Sequence, residues 1–262
     1  MEKIGTYLKK HQKLIMPMVT LCLTFCLWEG CVKWFQIPLY VLPAPSKIVM
    51  AIIKQWDVLW MHSIVTLKEA ILGLLAAILL AMVIAICMDR SKTFRLSIFP
   101  HLVVTQTVPV MILGPLFAIW LGFGMAPKIL MVIFMCFFPI VIAFADALQE
   151  VDQNQVNLLK SFGANKWQIY RYVKIPAAAT ALFSGCKVAA TYCIGGAIVG
   201  EWLSASAGLG YYMIRVKNGY MLDLVFATVV VIILWSLLLH LSVVWIERLV
   251  FPYTKKRKGR TK

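Results

Sequence analysis

Lys187 interrupts an otherwise apolar run from Thr180 to Trp202, and Glu201 stands at the far end of that run. An ammonium group inside such a run costs about 2.5–3.5 kcal/mol at the centre of a membrane-spanning helix, which makes Lys187 a functional candidate by default. Its four-carbon stem can instead carry the charge a turn or two to interfacial water. Glu201 has three roles open to it: meeting a basic group on an external partner, facing a pathway, or anchoring the helix end in water. Gln106 and Thr107 offer an amide and a hydroxyl just before Pro109, and Tyr192 offers an aromatic face. These groups bind and release; they form no acid, base and nucleophile constellation. Seven cysteines (Cys22, Cys26, Cys31, Cys87, Cys136, Cys186, Cys193) contain no C-x-x-C pair and read as small apolar residues. His11, His62, His101 and His240 lack ligand spacing, so no metal site is expected.

The elements that must position these residues follow from composition. Of 262 residues, 61% are hydrophobic and 14% charged, with a mean hydropathy of +0.84. Apolar runs near Leu14–Phe35, Ile64–Met88, Leu96–Leu121, Ile129–Ala145, Thr180–Trp202 and Leu224–Ile246 approach the roughly 20 residues that span a hydrocarbon core. The expectation is an all-α polytopic membrane protein of about six transmembrane helices, with residues 1–262 forming one integral membrane domain. No small-residue cleavage site follows the first run, so it reads as a membrane anchor. With the N-terminus inside, eighteen Lys and Arg residues fall on the inner side and seven outside, Lys128 among the latter. Both termini are therefore expected in the cytoplasm of a multi-pass cell-membrane protein. The net charge of +15 is explained by this distribution, not by nucleic-acid binding; the basic tail, residues 253–262, reads as a stop-transfer flank meeting anionic lipid.

A polar interlude, QEVDQNQVNLLKSFGANKWQIYRYVKIP, occupies residues 149–176 between the fourth and fifth runs. Asp152 with Gln155 predicts a capping box at the start of one short helix, and Gly163 suits the left-handed position that ends it. Asn165 with Gln168 repeats the pattern for a second helix, whose expected limit is Pro176. The alternative is a solvated connecting loop with ordinary caps.

Gly163, nine further residues, then Val173, Lys174, Ile175 and Pro176 resemble the cytoplasmic signature of permease subunits of binding-protein-dependent ABC importers. The resemblance implies the type I importer permease fold and a coupling helix docked on an ATP-hydrolysing subunit, with Asn157, Leu158, Leu159, Gly163, Ala164, Lys166, Trp167 and Pro176 as coupling residues. The chain departs from the family where Glu-Ala-Ala is usual: Asn157, Leu158 and Leu159 supply the helix without the glutamate of the usual salt bridge. Gly208, Leu209 and Gly210 resemble the family's external Gly-Leu-Gly turn. The LPAPS string, Leu42–Ser46, is similar to the entry segment of the nitrate, sulfonate, taurine and thiamine-precursor branch. Ser46 is expected to cap an interfacial helix there, with Ile48, Ile52, Trp56 and Leu59 on one face; a helix packed on the protein would show the same spacing.

In the third run, Pro109, Gly114 and Pro115 predict a bent or partly unwound helix. In the family this helix lines the translocation route, which implies pathway roles for Gln106, Thr107, Pro109, Lys187, Tyr192 and Glu201. The fifth run carries Gly195, Gly196 and Gly200 with Ala189, Ala190 and Ala197, which allow a close helix approach at a dimer interface or moving gate. The implied assembly is a second copy of the chain, two cytoplasmic ABC ATPase subunits and an external solute-binding protein. The chain has no G-x-x-x-x-G-K-[ST] loop, so it is expected to bind no cofactor and to be no enzyme, with ATP and magnesium held by the partner ATPase. GAIVGEW followed by GLGYYM is most similar to permeases for hydroxymethylpyrimidine-type thiamine precursors, with aliphatic sulfonate, taurine or nitrate as the alternative. An energising scaffold of a vitamin transporter and a membrane-embedded enzyme are more distant readings.

Overall fold

A computed structural model describes residues 2–251, and side chains within residues 15–251 except that of Ser204. The basic tail, residues 253–262, lies outside the described residues. Among the described residues, regular structure is entirely helical, as a bilayer requires of a single chain that must satisfy its backbone polar groups internally. Five helices are long and apolar enough to cross a membrane: α1 (Glu2–Trp34, apolar from Ile15), α3 (Trp56–Arg90), α6 (Ala126–Gln149), the continuous rod Lys166–Leu203, and α11 (Leu222–Val250). A further pair, α4 (Lys92–Thr107) and α5 (Val110–Leu121), is long and apolar enough only when taken together and is bent by 103°, the geometry of a broken span or a re-entrant loop, so that it makes a sixth crossing only if the two count as one. The break falls at Val108–Pro109, where both residues are extended, whereas Pro115 and Gly114 continue inside α5. Gly114 serves packing instead: a Cβ there would overlap Leu203.

Two compact units divide the chain. In the first, residues 2–59 and 213–230, the short α2 (Pro45–Lys54) buries Ile48 and Ala51 with Ala227, beside Trp28, Ile52 and Phe226. The cap expected from Ser46 goes elsewhere. Ala44 is the N-cap, while the Ser46 N–H and Oγ donate to Glu29 at 3.0 and 2.7 Å. Trp56 and Leu59 belong to α3, because α2 ends at Lys54. The first-unit short helix is thus packed on protein along its Ile48–Ala51 face, and Val49, Met50 and Ile53 are exposed.

The second unit, residues 60–212 and 231–251, is built on the pairing of α6 with α9 (Ile175–Ser204). Glycines set that distance. A Cβ on Gly185 would lie 2.7 Å from the Pro139 carbonyl oxygen, one on Gly196 3.1 Å from Val132 Cα, and one on Gly200 2.9 Å from Lys128 Cα. Ala189, Ala190 and Ala197 are fully buried in the same core. The small-residue face expected at a dimer interface or gate is therefore taken up by α6 of the same chain; Gly195 alone of the three glycines meets nothing. Cys136, Cys186 and Cys193 are buried in this unit, but Cys22, Cys26, Cys31 and Cys87 lie on outward helix faces.

Candidate functional site

The polar interlude folds into a knot of its own. Asp152 caps α7 (Gln153–Ser161), but its carboxylate accepts from Asn154 N–H at 2.9 Å, so the expected capping box with Gln155 does not form. Gly163 has φ +78°, and its N–H donates to Lys160 O at 2.9 Å while Ala164 N–H donates to Leu159 O at 3.0 Å. This crossed pair closes a helix with a left-handed residue just past its end. Asn165 and Gln168 form the second expected box at 2.7 and 2.9 Å, starting α8 (Lys166–Ile169).

Pro176 does not end that helix. A π turn, Tyr170–Lys174, carries α8 directly into α9, with Ile175 N–H donating to Tyr170 O. Proline's ring collides with the carbonyl four residues back in an α-helix; widening the preceding turn moves that carbonyl aside. Val151, Val156 and Ile169 form the knot's core, with Leu159, Ala164 and Val173 against it. Of the sequence-selected residues, Leu159 and Ala164 thus turn inward, and Asn157, Leu158, Gly163, Lys166, Trp167 and Pro176 face outward. Phe162 and Tyr172, which the sequence reading passed over, join Leu158 and Trp167 as exposed large side chains, all more than half exposed.

Asp89, at the end of α3, ties this knot to the helix bundle. Its carboxylate accepts from Tyr170 OH at 2.5 Å and from Lys174 Nζ at 2.6 and 2.8 Å. Arg95 of α4 pairs with Asp146 of α6 at 3.0 Å nearby in sequence to the same ends. An aspartate closing an apolar run, just before the basic residue that flanks it, was the only sequence signal for Asp89.

At the other end of α9 the Gly-Leu-Gly turn is held by three side chains. Gly208 N–H donates to His62 Nδ1 at 3.0 Å, Leu209 N–H to Thr66 Oγ1 at 2.8 Å, and Gly210 N–H to Glu201 Oε2 at 2.5 Å. Thr66 Oγ1 in turn donates to Glu201 Oε1 at 2.6 Å. Gly208 has φ +117°, and any Cβ there would overlap the Glu201 carboxylate. Glu201 is 1% exposed, so it neither anchors the helix end in water nor is open to an external partner. Beside it, Glu69 pairs with Lys128 at 2.8 Å, both buried, which places inside the protein a lysine expected in an external loop. His62, Thr66 and Glu69 follow i, i+4, i+7 spacing on one face of α3, a legible pattern that the sequence reading missed.

Lys187 does not stand free for a solute: Glu247 of α11, one residue past the apolar run Leu224–Ile246, holds it at 2.9 and 3.1 Å. His240 Nδ1 lies 3.2 Å from the Lys187 carbonyl oxygen on the same side. Thr107 folds its hydroxyl back onto Val104 O at 2.7 Å. Gln106 and Tyr192 do come together, around a cavity of about 330 Å³ at the α4–α5 break, with Val108, Val110, Phe134, Met135, Phe138, Pro139 and Val188 completing its walls. Pro109 shapes that break as the N-cap of α5.

Comparison with known proteins gives a consistent picture. A family model described as "Binding-protein-dependent transport system inner membrane component" matches residues 73–255. A probable ABC transporter permease protein of Haemophilus influenzae is 32% identical over 89% of this chain and 96% of its own. The formylaminopyrimidine transport permease protein ThiX of Halalkalibacterium halodurans is 28% identical, covering 95% of this chain and all of that one. The taurine transport system permease protein TauC of Escherichia coli is 27% identical over 74% and 71% of the two chains. Among solved structures, an amino acid ABC transporter crystallised with histidines superposes with a TM-score of 0.60 at 18% identity, over 76% of this chain and 97% of that one, which shows a shared fold.

Proposed function

The chain belongs to the inner membrane components of binding-protein-dependent transport systems, and from that premise we propose that it is the permease of an ATP-driven importer for a hydroxymethylpyrimidine-type thiamine precursor. Membership makes it an ABC importer permease, a multi-pass membrane subunit whose work is transport. The finer reading adds a second copy of the chain, two cytoplasmic ATPases carrying ATP and magnesium, an external solute-binding protein and cytoplasmic termini.

The observation that carries the substrate reading is the Lys187–Glu247 pair. The sulfonate group of taurine or of an aliphatic sulfonate, or a nitrate ion, would draw on a cation in the pathway, and the lysine best placed in sequence to supply one is already paired with a carboxylate. A pyrimidine asks for aromatic faces and neutral hydrogen-bonding groups. The relative whose name specifies formylaminopyrimidine transport is matched over 95% of this chain and all of its own length, which supports the same choice.

Energy transfer is assigned to the interlude. The exposed row Leu158, Phe162, Trp167 and Tyr172 offers an apolar docking face in place of the family's glutamate. Closure of the ATPase pair would displace this face, and the Asp89 clamp on Tyr170 and Lys174 would pass the displacement to α3 while the continuous rod passes it to α9.

Uptake of labelled hydroxymethylpyrimidine tests the proposal, in cells lacking their own route and expressing the full transporter. Saturable uptake that excess taurine leaves unchanged is expected. Taurine uptake in place of pyrimidine uptake by the assembled complex would overturn the substrate assignment.

A further inference from the structure

We infer that the cavity at the α4–α5 break is a solute-selective site within the membrane domain, built for a neutral, flat heteroaromatic ring and closed to anions. This rests on the importer reading above and deepens it. The cavity of about 330 Å³ is at the small end of ligand sites and holds a single substituted ring with room to turn. Phe134 and Phe138 of α6 and Tyr192 of α9 supply aromatic surface, and Met135 a polarisable thioether. Gln106 and Tyr192 are the side chains with polar tips, and neither has a hydrogen-bond partner within the described residues. A primary amide offers both a donor and an acceptor, the complement of an aminopyrimidine edge, and a phenol offers either. Pro139, which also lines the cavity, lacks the N–H that would engage the Met135 carbonyl within α6.

The second half of the argument is charge. No lining residue is ionisable apart from the Tyr192 phenol. The two cations of the α6–α9 pair are engaged elsewhere, Lys128 with Glu69 and Lys187 with Glu247. An anion entering this cavity would leave its hydration shell and meet no compensating charge, whereas a neutral ring exchanges water for aromatic faces and one amide. Selectivity of this kind acts after the binding protein has released its cargo.

Tyr192 is 50% exposed and Gln106 is exposed, so trimming either leaves no hole in the core. The test uses the assembled transporter in proteoliposomes with its binding protein, labelled hydroxymethylpyrimidine as the probe, and uptake measured per ATP hydrolysed. Tyr192→Ala is expected to lower uptake per ATP about tenfold, in line with loss of one ring-stacking surface. Tyr192→Phe is expected to retain most of it, and Gln106→Leu to lower it about threefold to tenfold, consistent with the loss of one or two hydrogen bonds. A merely structural role would lower uptake and ATP hydrolysis together and leave their ratio at the wild-type value, so it is the ratio that reads the site. Wild-type pyrimidine uptake left unchanged by Tyr192→Ala and Gln106→Leu would overturn the site and leave the importer reading intact. Absence of pyrimidine uptake by the wild-type complex, with taurine carried instead, would overturn both.

Discussion

Replacing Gly163 isolates the conformational demand of the coupling segment from every packing effect. Gly163 sits at φ +78° and closes α7 through the two backbone bonds to Lys160 and Leu159. A Cβ built there meets no atom within 4 Å, so nothing in the chain resists a side chain sterically. What remains is the left-handed backbone itself, roughly 1–2 kcal/mol for an ordinary L-residue, least for asparagine and most for a β-branched residue. That range changes the population of the closed turn by a factor of about 5 to 30. The turn aims Phe162 and Trp167 outward and seats Ala164 against the small core of Val151, Val156 and Ile169. The expected order of coupled uptake is therefore wild type, then Gly163→Asn close behind, Gly163→Ala lower, and Gly163→Val lowest. Membrane insertion and assembly should be equal throughout, and the assay is uptake per ATP hydrolysed in proteoliposomes. If Asn proves as damaging as Val, the glycine is needed for room against a partner and the conformational argument is refuted. If Val couples normally, the turn does not matter to coupling at all.

Asp89→Ala should leave Lys174 and the Tyr170 hydroxyl unpaired at a nearly buried site, lowering stability by about 2 kcal/mol and reducing uptake per ATP; melting in detergent and the coupling ratio check both. Lys187→Met should destabilise by about 2 kcal/mol, less than the roughly 3–5 of a fully buried pair, because both partners are partly exposed. Adding Glu247→Leu to it should recover most of the melting temperature without altering which solute is carried. Glu201→Ala should strand the Gly210 N–H at a cost of roughly 1–3 kcal/mol, while Glu201→Gln, which keeps an acceptor oxygen, should melt close to wild type.

The helical class, the spans and the caps of the interlude were legible because each is written in local sequence. Apolar run length marks a span, and Asn165 with Gln168 or Gly163 alone marks a helix end whatever surrounds it. Pro176 misled because its meaning depends on the turn before it: a proline ends an α-helix but follows a π turn without collision, and nothing local announces the π turn. Lys187, Lys128 and Glu201 could not be placed from sequence for a different reason. A charge in an apolar run has an energetic meaning only once its partner is known, and the partners lie 60, 59 and 135 residues away, Glu247, Glu69 and Thr66 respectively. The glycines of α9 were rightly read as a close-approach surface, but the sequence does not say which helix approaches, and α6 of the same chain does.

Those pairings have a geometry that bears on how the subunit can move. Glu69 and Asp89 are separated by 20 residues on α3, about 30 Å along the helix and the thickness of a hydrocarbon core. Lys128 and Asp146 on α6 are separated by nearly the same rise. Each of these helices is therefore pinned to a neighbour at two levels, one at each edge of the apolar layer, where burying a charge costs least. The α4–α5 pair is different. Arg95 ties its first turns to Asp146, and from there its path breaks at Val108–Pro109 beside a cavity. Motion between pinned helices must be rigid, whereas a broken helix can change its angle without breaking an ion pair. The α4–α5 break also walls the cavity that Gln106 and Tyr192 share, so under the proposal above a change in that angle would also change the solute's surroundings.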